Sequence, residues 1–107
     1  MDSRLTIEER MADYQRQLDV VRGKMKRLEE SSPKIYINLR YYINRLRELN
    51  GKETENKDEL NFVRHQVKAL LADKEQIENE YQELKQKERE ILFCIKELKV
   101  VDNPKEM

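Results

Sequence analysis

Read from Ile7, apolar side chains recur at alternating steps of four and three residues: Met11, Tyr14, Leu18, Val21, Met25, Leu28, Ser32, Ile35, Leu39, Tyr42, Leu46 and Leu49. Ser32 alone breaks the series, and a four–three alternation is the seam of a helix that packs against another helix. The second half repeats it through Leu60, Val63, Val67, Leu70, Lys74, Ile77, Tyr81, Leu84, Glu88, Ile91, Ile95 and Leu98. There Lys74 and Glu88 are the polar intruders, read as residues that set register at some expense in stability. Positions between the seams alternate in sign, as in Glu83, Lys85, Lys87, Arg89 and Glu90, which suits solvated flanks.

Between Leu49 and Leu60 the seam lapses, with Glu53 and Asn56 at the positions due to be apolar. Asn50-Gly51 offers a left-handed helix stop. Asn56 followed by Glu59 resembles an N-cap with its capping-box partner, and Asp58 and Glu59 suit the positive end of a new helix. Folding the chain at 50–55 lays two arms of equal length side by side. Their charges are complementary: residues 1–50 hold 11 basic and 8 acidic groups, residues 51–107 hold 11 and 14.

The expected fold is therefore all-α: long coiled-coil helices, arranged as an antiparallel helical hairpin. One coiled-coil domain spans 1–102, with a first arm at 4–49, a turn at 50–55, a second arm at 56–100 and a flexible tail at 103–107. Two rivals use the same pattern. Because the heptad phase runs through the gap, a continuous parallel coiled-coil dimer of about 137 Å at 1.5 Å per residue would also satisfy it. A shorter three-helix bundle is the other. Pro33 perturbs all three: inside a helix it lacks a donor and crowds the preceding turn, so a kink or restart is expected at Ser31–Pro33.

Composition narrows function more than fold. Charged residues make up 41% of the chain, with no Trp, two Gly and two Pro, which favours long solvated helices over a compact globule. Basic and acidic residues balance at 22 each, so nucleic acid, which demands surplus cations, is not an expected partner. No apolar run approaches the length of a membrane span. One cysteine, Cys94, cannot form an internal disulfide, and an intracellular compartment, cytoplasmic or nuclear, is expected.

Catalysis has little foothold. His65 is the sole histidine and falls outside the seam, and Cys94 sits beside the seam as a small hydrophobe. There is no cysteine–histidine spacing for zinc, no calcium loop and no glycine-rich phosphate loop, so neither a metal nor a cofactor is expected.

The unusual segment is 33–47, apolar on more than one face and devoid of acid. The seam uses Ile35, Leu39, Tyr42 and Leu46. Tyr36, Ile37, Tyr41 and Ile43 are then left to face outward beside Arg40 and Arg45, and tyrosine with arginine is the composition enriched at protein-binding hot spots. Leu92 and Phe93, with Cys94, Val100 and Val101, form a second patch. The function expected is a non-enzymatic interaction and oligomerisation module, a scaffold or adaptor whose partners are protein: a second copy in a homodimer, or other helical chains in a hetero-oligomer. The alternative is a hairpin subunit of a hetero-oligomeric complex, chaperone-like or GTPase-effector-like.

Overall fold

The computed structural model describes residues 6–51 and 57–102. They form two helices, α1 (Ile7–Asn50) and α2 (Lys57–Asp102). Of the turn expected at 50–55, residues 52–55 lie outside the described residues, as do the Asn56 cap and the tail at 103–107.

Helix α1 begins at a capping box that the heptad reading overlooked. The Glu9 amide donates to Thr6 Oγ1 at 3.1 Å, and the Thr6 hydroxyl donates to Glu9 Oε1 at 3.1 Å, satisfying one of the four orphan donors of the first turn. Glu8 and Glu9 at the start and Arg47 near the end complement the helix dipole, as do Asp58, Glu59 and Lys99 in α2.

Two expectations about backbone breaks need correction. No new helix starts at Pro33: α1 is helical on both sides of it. Ser31 does not cap a restart but turns its hydroxyl back on the Leu28 carbonyl at 3.2 Å. A seam that must stay in register across 31–33 outweighs the local preference to stop, since tertiary packing of an amphipathic face supplies most helical stability. Gly51 does not adopt a left-handed backbone, and a Cβ there would meet nothing within 4 Å. Its role as a left-handed stop is withdrawn.

The residues group into two compact units. One joins α1 up to Arg27 with α2 from Tyr81; the other joins α1 from Leu28 with α2 up to Glu80. In the first, Leu18, Val21 and Met25 of α1 pack with Ile91 and Ile95 of α2, flanked by Met11, Tyr14, Tyr81 and Leu84. In the second, Leu49 packs with Leu60 and Val63, flanked by Tyr42, Leu46 and Val67.

Within each unit the pairing runs antiparallel. Tyr14 meets Cys94 and Arg22 meets Glu88 in one; Tyr36 meets Glu78 and Arg45 meets Glu59 in the other. The chain is thus an antiparallel helical hairpin, and the continuous rod is excluded. Every seam position from Ile7 to Leu49 and from Leu60 to Leu98 is buried or half-buried, Ser32, Lys74 and Glu88 included.

The two charged seam residues are both paired. Glu88 accepts from Arg22 Nε at 3.0 Å across the helices. Lys74 pairs with Glu78 on its own helix at 3.2 Å and lies 5.9 Å from the Tyr36 ring centre. The Arg22–Glu88 bond and the approach of Lys74 to the Tyr36 ring cross between the helices and so depend on their alignment, whereas the Lys74–Glu78 pair lies within α2.

Candidate docking faces

A helix turns about 100° per residue, so positions two apart lie on nearly opposite faces. The buried seam of α1 in the second unit is Ile35, Leu39, Tyr42 and Leu46. Two residues out of phase run Ile37, Arg40, Asn44 and Arg47, preceded by Pro33, and this stripe faces away from α2. Ile37 is 68% exposed and Tyr41, beside it, 62%. Together with Tyr36 and Ile43 the stripe lines a shallow, open concavity of about 810 Å³.

The eight side chains singled out from sequence do not share one environment. Ile37, Arg40 and Tyr41 stand outward as expected. Ile43 does not: it is half-buried on the flank of α1. Tyr36 and Arg45 are also flank residues, on opposite sides of the seam, and both reach α2. The Tyr36 hydroxyl donates to Glu78 Oε1 at 3.0 Å, and Arg45 Nε donates to Glu59 Oε1 at 2.7 Å while its Nη1 pairs with Glu48 at 2.9 Å.

Tyr36 and Arg45 therefore join the two helices; Arg45 is half-buried, so its place in a free recognition surface is corrected, while Tyr36 keeps 44% of its surface exposed. The cause is helical geometry: Tyr36, just after Ile35, and Arg45, just before Leu46, lie on the edges of the seam that border the partner helix, whereas Arg40 and Tyr41 lie on the side away from it. The pairing with Glu59, reinforced by Glu48, raises the Arg45 pKa, and the hydrogen bonds from Lys74 and Tyr36 hold the Glu78 carboxyl below the usual glutamate range.

Sequence reasoning missed an aromatic relay in the same unit. Tyr41 meets Tyr42 edge-on at 5.1 Å, and Tyr42 meets Phe62 of α2 at 6.4 Å. Phe62 is 55% exposed and lies one position off the α2 seam. Its spacing from Leu60 and Val63 could have flagged it as a flank residue.

Leu92 and Phe93 lie on α2 in the first unit, 41% and 62% exposed. Arg89, Glu90, Lys96 and Glu97 surround them, all exposed. Val101 is exposed and Val100 half-buried. A separate groove of about 460 Å³ in this unit is lined by Tyr14, Val20, Lys24, Lys87, Ile91 and Cys94, among others. There the Tyr14 hydroxyl shares a hydrogen bond with Cys94 that raises the tyrosine pKa.

His65 is exposed in the second unit, whereas Cys94 is half-buried in the first. Among the described residues no cluster of His, Cys, Asp and Glu could hold a metal ion, and no helix is long and apolar enough to cross a membrane. The fold defines the chain as a helical-hairpin protein; no family model, no curated protein and no solved structure matches it.

Proposed function

We propose that this chain is a non-enzymatic protein-interaction module, a scaffold or adaptor that self-associates and docks a partner through the outer face of α1. The observation that carries this reading is the balance of apolar side chains. Among the described residues nine large hydrophobics remain exposed, besides those that the seam buries or half-buries. Scattered exposed hydrophobics need no explanation, but Tyr36, Ile37 and Tyr41 fall within six residues and Leu92 and Phe93 are adjacent.

The Leu92–Phe93 patch suits a second copy. An isologous contact brings the same surface to both sides and must compensate its own charges. Arg89 and Lys96 beside Glu90 and Glu97 allow that. Sedimentation equilibrium tests the reading on the intact chain and on L92E/F93E, whose substitutions fall on exposed positions. A dimer for the parent and a monomer of unchanged helicity for the variant are expected. A parent chain that stays monomeric and melts independently of its concentration would sink the self-association and favour a hairpin subunit completed by other chains.

A further inference from the structure

We propose that the outer face of α1 between Pro33 and Arg47 receives an acidic amphipathic helix of a different protein, and not a second copy of this chain. The inference rests on reading that face as a docking surface and names what docks there.

Charge is the first argument. Residues 33–47 contain no Asp or Glu. The nearest acid after them, Glu48, is taken up by Arg45, and Glu59 of α2 is engaged by the same guanidinium. Arg40 and Arg47 have no carboxylate partner among the described residues. They stand seven positions apart on one stripe, about 10.5 Å at 1.5 Å per residue, or two helical turns. A guanidinium fork accepts carboxylates with directional, bidentate geometry, so carboxylates seven apart on a partner helix match this spacing.

The apolar neighbours supply the second argument. Ile37 and Tyr41 stand beside Arg40 with more than half of their surface open. Tyr41 meets Tyr42 edge-on at 5.1 Å and still offers most of its ring for contact with a partner. A stripe repeating at four and three residues is the line another helix follows, and here it presents Ile37, with Tyr41 beside it, as apolar contacts and Arg40, Asn44 and Arg47 as polar ones.

A second copy fits this face poorly. A twofold contact through it would bring two Arg40 and two Arg47 side chains together without one acid from the segment, and like charges across an interface are strongly disfavoured. Phosphate is equally ill-suited: two unpaired arginines separated by Ile37, Tyr41 and Asn44 give little of the cationic surplus that a polyanion needs.

The test uses the intact chain and two synthetic amphipathic helices about three heptads long, identical except that glutamates flank the apolar seam in one and lysines in the other. Fluorescence anisotropy should show the glutamate peptide binding at least about tenfold tighter, with affinity falling as salt rises through the range where the screening length shrinks below about 10 Å. R40E/R47E should reverse the preference; R40Q/R47Q, which introduces no like-charge repulsion within α1, should abolish it.

Equal binding of the two peptides, no binding of either, or a preference indifferent to both variants overturns the proposal. So does loss of the chain's self-association in R40Q/R47Q, which would put a second copy on this face, or Arg40- and Arg47-dependent binding to phosphatidylserine vesicles with no response to the glutamate peptide. The docking surface itself is read separately through I37S/Y41S. If that variant weakens both peptides while the arginine variants change nothing, the face docks helices but has no preference for acid; if neither peptide responds to it, the face is no docking site.

Discussion

Tyr36, Lys74 and Glu78 show how a single residue's role follows from its angle on the helix. Lys74 occupies a seam position yet remains charged, because Glu78 lies one turn on along α2 and the face of Tyr36 lies alongside. Glu78 receives hydrogen bonds from Lys74 and Tyr36, which favour its ionised form and depress its pKa in the folded chain. A carboxyl depressed on folding contributes stability above its ordinary pKa of about 4.3, and that contribution fades as pH falls through the lower folded value. E78Q should therefore melt slightly below the parent at neutral pH, a small effect because the group is solvated, and the gap should close as pH falls below the depressed pKa of Glu78. A gap of equal size on both sides of that pKa, read by circular dichroism, would mean that shape rather than charge is at work.

Helix α1 carries an internal proline and an internal glycine and still spans Ile7–Asn50 without interruption. Proline in a helix interior costs about 3 kcal/mol through its missing donor and its crowding of the previous turn. Because Pro33 is exposed and lies off the seam, P33A should recover part of that sum, about 1–3 kcal/mol in urea unfolding, without disturbing the core. No gain, or a loss, would mean that the packing of the ring outweighs the helical preference. The position matters beyond stability, since Pro33 lines the concavity beside Ile37 and Arg40. A P33A chain that also bound the glutamate peptide differently would link this position to the docking face.

For the molecule as a whole, the hairpin rests on contacts between α1 and α2 and not on the length of the connection. Lengthening the segment between Glu53 and Thr54 with Gly-Ser residues should leave helicity unchanged and cost about 0.6 kcal/mol for each doubling of the loop. A collapse of the thermal transition would contradict an intrachain hairpin. The polar crosslinks Arg22–Glu88, Tyr36–Glu78 and Arg45–Glu59 reinforce the same antiparallel order that Leu18 with Ile91 and Leu49 with Leu60 establish.

The helices and the seam were legible in the amino-acid order, because a period near three and a half residues is a property of one helix and needs no partner to be read. All of the seam positions named from Ile7 to Leu98 are shielded in the fold, Lys74 and Glu88 among them. What the order could not reveal was which partner each flank residue finds. The heptad phase puts Tyr36 and Arg45 on the edges of the seam and Arg40 away from it. The approach of α2 decides the rest, since it brings Glu78 to Tyr36 and Glu59 to Arg45 and leaves Arg40 facing outward. The same holds for Pro33, whose local preference favours a stop. Its helical conformation was decided by tertiary packing, because keeping the seam in register across many residues outweighs the backbone preference of one.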